Sequence, residues 1–282
     1  MIKSILKGAV IGIANIIPGV SGGTMAVSMG IYDKIIHAVT HLFSEFKKSM
    51  KILIPIGIGI VIAIVGVARL IEYMFRVVPL QTNLLFIGLI LGGLPAIGKK
   101  VKGAGFKVGY VIAFALFFAL VVGCAALEGS SGGNVVLTVS FLNAIKLFGV
   151  GVIASATMVI PGVSGSMVLM IMGYYTPIIS TINQFVDHVL ALDVKGVLAD
   201  CGILVPFGIG VVVGIFVIAK IIEIVFEKWP LLAYWAIIGL IVASPVGILM
   251  MGKFGTINVV SVLTGIVALA IGIIVAMKLG EE

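Results

Sequence analysis

The hexapeptide IPGVSG occurs twice in this chain, at Ile17–Gly22 and again at Ile160–Gly165. Each copy lies in a long apolar run, as NIIPGVSGGT (Asn15–Thr24) and MVIPGVSGSM (Met158–Met167). Proline ends the helix before it and glycine accepts left-handed backbone, so each copy breaks a helix. Both breaks fall where backbone polar groups are hardest to satisfy.

The repetition extends beyond the hexapeptide. At the same offset of 143 come Gly30/Gly173, Tyr32/Tyr175 and the pair Ile35–Ile36/Ile178–Ile179. A second block aligns at an offset of 151, residues 54–79 against residues 205–230, with 11 of 26 positions identical. These include Pro55/Pro206, Gly57/Gly208, Gly59/Gly210, Glu72/Glu223 and Pro79/Pro230. Shared hydrophobicity yields matched Ile and Val, but not aligned prolines, glycines and glutamates. The chain is a duplication, and its halves are predicted to be 1–140 and 141–282.

Composition sets the class. Hydrophobic residues make up 61% and charged ones 10%, and the mean hydropathy is +1.34. About 20 apolar residues cross a bilayer as a helix, so the chain reads as an all-α polytopic membrane protein. Spans are predicted near 52–75, 80–97 and 108–127, and again near 201–226, 231–250 and 256–279. The N-terminus imitates a signal peptide, but the same pattern recurs internally, which argues against one. The net charge of +7 reflects cytoplasmic Lys/Arg loops and implies no nucleic-acid partner. Cys124 and Cys201 do not correspond between halves and read as free thiols.

Loop charge orients the halves. Lys47, Lys48 and Lys51 against Glu45, and then Lys99, Lys100, Lys102 and Lys107, mark two cytoplasmic loops. The counterpart of the first loop, with Asp187, Asp193 and Asp200 against Lys195, is acidic and is placed outside. Three crossings per half is an odd number, so the second copy is expected to be inverted, as in many secondary transporters. Both termini are then cytoplasmic, in a cell membrane. The parity requires each IPGVSG element to enter and leave on one side, either as a re-entrant hairpin or as two full spans. Hairpin apices are placed at 18–24 and 161–167.

At each apex the prolines, Pro18 and Pro161, break the helix, and the helix that follows starts with N–H groups near mid-membrane. Such a terminus attracts anions, phosphate above all. The candidate phosphate-binding residues are Gly19, Val20, Ser21, Gly22, Gly23 and Thr24, with Gly162, Val163, Ser164, Gly165 and Ser166. Tight helix packing through the glycines is the plainer alternative. Asn15 at the first apex has no polar counterpart in Met158.

Arg69, Glu72 and Arg76 share one helix face, and Lys220 and Glu223 repeat the first two charges. These are candidates for contacting a lipid head group or for carrying a coupling ion, proton or sodium; interfacial anchoring is the alternative. Asp33, His37, His41 and Glu45 are spaced by four, as metal ligands on one helix face would be. The duplication does not preserve the set, so a juxtamembrane amphipathic helix is the better reading and no metal is expected.

With its two proline-glycine-serine apices, the chain resembles the polyprenyl-phosphate transporters of the PopT type, formerly catalogued as a membrane domain of unknown function. The resemblance covers essentially the whole chain. It implies return of undecaprenyl phosphate, or a related polyprenyl phosphate, to the cytoplasmic leaflet, with no cofactor and no catalysis. The second apex departs from the first, with Ser166–Met167 in place of Gly23–Thr24. The residues alone also admit a carrier of small anions or metabolites, and an intramembrane polyprenyl pyrophosphate phosphatase. Against the enzyme, no His, Asp or Glu lies between Gly8 and Tyr32 or between Leu147 and Val186.

Overall fold

The computed structural model describes residues 1–16, 21–103, 105, 107–127, 135–252 and 254–280, leaving aside the side chains of 16, 67–69 and 72. Among them the secondary structure is all helix. In chain order the helices are α1 (Ile2–Ile16), α2 (Gly22–Ser28), α3 (Tyr32–Thr40), α4 (Phe46–Val77), α5 (Pro79–Leu91), α6 (Leu94–Val101) and α7 (Val108–Leu127). They continue as α8 (Phe141–Val159), α9 (Gly165–Ile171), α10 (Tyr175–Leu190), α11 (Val194–Lys228), α12 (Pro230–Met251) and α13 (Val259–Gly280).

Seven stretches of the described residues are long and apolar enough to cross a membrane: Phe46–Gly66, Pro79–Val101, α7, α8, α11, α12 and α13. Six of them overlap the spans predicted from sequence. The seventh is α8, the first arm of the second hairpin. Its counterpart α1 has 15 residues, about 22 Å at 1.5 Å per residue, short of a hydrocarbon core of about 30 Å. After the second apex, α9 and α10 meet at a bend of 109°, the geometry of a broken span or a re-entrant loop.

The matched residues of the two halves adopt matched backbone. Pro79 and Pro230 each occupy the first turn of a helix, where the missing N–H costs nothing. The residues before them, Val78 and Trp229, share an unusual conformation at φ −132°, ψ 58° and φ −137°, ψ 58°. Gly30 and Gly173, at φ +66° and +77°, end α2 and α9 with the same pair of hydrogen bonds. The N–H of Ile31 donates to Ala26 O at 3.0 Å, and that of Tyr174 to Leu169 O at 2.9 Å; the glycine N–H groups donate to Val27 O and Met170 O. This is a Schellman cap, which needs a left-handed residue at that position and so accounts for the matched glycines.

The chain divides into two compact units, each with its own interior. One comprises Met1–Ala126, Ile160–Val163 and Ala219–Glu282; the other comprises Leu127–Val159 and Ser164–Ile218. In the first unit α1 lies along α4 at backbone contact. A side chain on Gly8 would run into the carbonyl of Ile56, and one on Gly59 into the carbonyl of Ile5. In the second unit α8 lies along α11 in the same register, with Gly151 on the carbonyl of Phe207 and Gly210 on that of Phe148. These four positions correspond at the offsets found in the sequence. Beside this pair Val150, Ala154, Leu169 and Ile178 form the core of the second unit.

Four more helices of the first unit pair across the duplication. α5 lies on α13, with Gly88 against the carbonyl of Leu269 and Gly272 against that of Leu85. α12 lies on α7, with Gly239, the counterpart of Gly88, against the carbonyl of Phe114. Large apolar side chains point away from these seams: in α13 Leu263, Ile266, Val267 and Ile274 are exposed, while Gly265, Gly272 and Ala276 are buried. Small inside and large outside is the pattern of helices packed in lipid.

Candidate functional site

Ser21 and Ser164 stand immediately before α2 and α9 with the same extended backbone, φ −98°, ψ 132° and φ −93°, ψ 125°. Neither hydroxyl caps its own helix. The surroundings then diverge. At the first break the N–H of Gly22 donates to Asn15 Oδ1 at 3.1 Å, so a side chain from α1 holds a donor that the sequence reading left open. At the second, Met158 occupies Asn15's place and lies over Gly165, and a thioether offers no comparable acceptor. Ser164 and Ser166 share a hydrogen bond between their hydroxyl oxygens at 2.8 Å. Pro18, Gly19 and Val20 lie outside the described residues.

Residues from the two copies meet directly within the first unit. The N–H of Gly162, in the second hexapeptide, donates to Thr24 Oγ1 at 2.7 Å. Thr24 follows the first hexapeptide and is fully buried. Gly162 adopts φ +83°, and a side chain there would press on Val121 and Leu240. Val163 is buried beside it. The turn therefore needs glycine on two counts, conformation and space. Ser28, one helical turn beyond Thr24, is also buried and donates to Ile90 O at 3.3 Å.

A second polar cluster gathers on Glu223, whose side chain is 8% exposed. Lys220 Nζ sits 2.7 Å from Oε2, and the Thr40 hydroxyl donates to Oε1 at 2.8 Å. His37 Nδ1 and His41 Nδ1 approach the same Oε1 at 3.3 and 3.2 Å. Nearby, Tyr234 OH donates to Asp33 Oδ2 at 3.2 Å. The histidines thus converge with Glu223, 186 residues away from His37, and not with Asp33 or Glu45. Glu45 pairs with Lys48 instead. α3 ends at Thr40, so the four residues spaced by four do not share one helix. Of the other charged candidates, Arg76 lies in the last turn of α4, and the side chains of Arg69 and Glu72 lie outside the described residues.

The His37 and His41 spacing was visible in the sequence, but nothing local pointed to Glu223 as the group they meet. Thr24 was visible as a hydroxyl at an apex. Its buried role as acceptor for Gly162 had no sequence signal beyond the change to Met167 in the second copy.

Residues 11–258 match the family described as VCA0040-like, undecaprenyl phosphate translocase-like. The chain is 32% identical to the polyprenyl-phosphate transporter of Staphylococcus aureus (strain NCTC 8325 / PS 47), over 99% of this chain and 95% of that protein. It is 27% identical to the polyprenyl-phosphate transporter of Vibrio cholerae serotype O1 (strain ATCC 39315 / El Tor Inaba N16961), over 69% of this chain and 65% of that protein. No solved structure matches. The chain belongs to the undecaprenyl phosphate translocase-like family and is a multi-pass helical membrane protein, and the relatives it matches are named as transporters, not enzymes.

Proposed function

We propose that the protein carries undecaprenyl phosphate, or a related polyprenyl phosphate, across the membrane and returns it to the cytoplasmic leaflet. The observation that carries this reading is the contact between the second hexapeptide and the helix that follows the first, Gly162 N–H on Thr24 Oγ1. It supports a role for both breaks in holding the substrate, since Thr24 and Gly162 meet within the first unit. Ser21 at the first break, and Ser164 and Ser166 at the second, are the candidate phosphate-binding hydroxyls, with N–H groups of each break, while the isoprenoid chain stays in lipid. Gly22 contributes less than its counterpart Gly165, because Asn15 already accepts its N–H.

The inverted arrangement of the halves, 1–140 and 141–282, is part of the same proposal. It puts the lysine loop near residue 47 and the end of α11 on one membrane face. The meeting of His37 and His41 with Glu223 supports that placement. Rocking of one repeat against the other would then expose the phosphate to alternate leaflets. Glu223, with its four polar neighbours, is the candidate for coupling to a proton or sodium ion. The names of the relatives support the choice of lipid.

The test is reconstitution of the purified protein in liposomes loaded with a polyprenyl phosphate, with exposure in the outer leaflet followed over time. Transport is expected with the native chain, and most of it should be lost with Ser164→Ala/Ser166→Ala and with Gly162→Ala. Movement of inorganic phosphate without the lipid would favour the small-anion reading. Release of phosphate from a polyprenyl pyrophosphate would favour the enzyme.

A further inference from the structure

Three metal-binding side chains meet at one carboxylate oxygen. His37 Nδ1 lies 3.3 Å and His41 Nδ1 3.2 Å from Glu223 Oε1, and the ligand atoms of all three lie within 4.8 Å of one another. The histidines are four residues apart at the end of α3, so they share a face, and their ring centroids stand 4.1 Å apart. Glu223 comes from α11, in the other half of the duplication but in the same compact unit.

Hydrogen bonding alone serves this arrangement poorly. The Thr40 hydroxyl already donates to Oε1 at 2.8 Å, so with both histidines three donors would crowd an oxygen that has two lone pairs. The two histidine contacts are also long for N–H···O bonds. As metal ligands the same atoms fit. Donors about 2.0–2.1 Å from a tetrahedral zinc ion lie about 3.3–3.4 Å from one another, close to both histidine–carboxylate distances. His37 is 55% exposed, so its ring has room to turn toward His41.

The surroundings support a bound ion. Thr40 and Lys220, whose Nζ is 2.7 Å from Oε2, hold the buried carboxylate in place and leave one lone pair of Oε1 for a metal. Lys220 is also a cation beside the ion, so moderate, reversible affinity is expected. The exposed side of His37 gives an ion a path from water and a place for a water as fourth ligand. Two imidazoles and a carboxylate suit zinc and its transition-metal neighbours, whereas magnesium and calcium prefer oxygen donors throughout. The counterparts of His37 and His41 are Ser180 and Gln184, and the third histidine of the chain, His188, pairs with Asp200 at 2.7 Å. One such site per chain is therefore expected.

We propose that His37, His41 and Glu223 bind one divalent transition-metal ion of the zinc class, which ties α3 of the first half to α11 of the second. The spacing of Asp33, His37, His41 and Glu45 gave no reason to expect a metal; the acid that completes the set comes from the other half. The binding does not rest on the transport reading. Where that reading holds, an ion on Oε1 withholds Glu223 from a coupling proton or sodium ion and favours one arrangement of the two helices, so zinc acts as a brake.

The experiment uses the full chain in neutral detergent, with any affinity tag removed and bound metal stripped by a chelator. Co²⁺ is the probe, because its visible absorption reports a four-coordinate site. One Co²⁺ per chain is expected, displaced by Zn²⁺ and not by Mg²⁺, with a higher melting temperature for the loaded protein. His37→Ala and His41→Ala should each weaken binding about 100-fold, and Thr40→Ala, which loosens the carboxylate, roughly tenfold. His37→Cys exchanges one ligand for another and should keep much of the binding; His188→Ala should keep all of it. Without metal, His37→Ala should melt close to the native chain, which separates a lost ligand from misfolding. A native chain that takes up neither Co²⁺ nor Zn²⁺ would overturn the proposal. So would binding unchanged in His37→Ala/His41→Ala, binding lost with His188→Ala, or equal displacement by Mg²⁺. In liposomes, Zn²⁺ should slow lipid movement by the native chain, and whatever movement His37→Ala retains should not respond to it. Binding without that effect would remove the brake and keep the site. Absence of lipid movement from the metal-free native chain would count against the transport reading and leave the binding result standing.

Discussion

Asn15 and Met158 occupy the same place in the two halves and act differently. Asn15 supplies the acceptor that the first N–H of α2 would otherwise lack, and Met158 supplies only packing. Replacing Asn15 with Met should cost about 1 kcal/mol through the lost cap, read as a lower melting temperature in detergent. Thr24→Val should cost about 1–3 kcal/mol by leaving the Gly162 N–H without its acceptor, whereas Thr24→Ser should keep most of the stability. A Thr24→Val protein that melts like the native one would dismiss the importance of this contact. The asymmetry of Asn15 was legible in the sequence, because the duplication exposes any unmatched polar residue. The partner of Thr24 was not, because the two residues lie 138 apart and neither breaks a local pattern.

Helices in this protein are chosen for one another by glycines at carbonyl contact. Gly8 and Gly59 secure α1 on α4, and Gly151 and Gly210 secure α8 on α11. Without a hydrophobic drive between helices in lipid, such close approach supplies the attraction through dispersion. Gly59→Leu should therefore force α1 from α4 and abolish a stable, monodisperse protein on size-exclusion chromatography. Gly57 sits two residues away with open space around it, and so does its counterpart Gly208. Gly57→Ala should be tolerated or stabilising by up to about 1 kcal/mol, from helix propensity alone. Normal folding of Gly59→Leu would rule out the proposed seam. Apolar run lengths made most of these helices legible beforehand. Which helix pairs with which was not, because a small-residue face identifies a contact surface without naming its partner. The break between α5 and α6 at Gly92–Gly93 also escaped a reading based on hydropathy.

For the whole molecule, loop charge and duplication made the class and the repeat legible, and the inverted orientation stands as a prediction with a direct check. In a background with Cys124 and Cys201 replaced by Ala, Lys47→Cys should react with an impermeant thiol reagent only from the cytoplasmic face. Asp193→Cys should react only from outside. Labelling of both from the same side would end the inverted reading. The exchange of helices between halves makes a second prediction. Residues 1–130 and 131–282, expressed as separate chains, should assemble into stable protein together, and neither should be stable alone. The exchange had no local signal in the sequence, since α7 and α13 are nearly uniform in hydrophobicity around their circumference.

The pairing of α5 with α13 also bears on how the protein is made. The glycine face of α5 enters the membrane long before Leu269 and Ile273 have been synthesised. At about 5–20 residues per second the wait is roughly ten to forty seconds. During that interval a strip built for backbone contact faces lipid or the insertion machinery. The α1–α4 seam can close early, but α5 must wait until the ribosome has nearly finished the chain, so completion of this second seam is timed by the last membrane insertion.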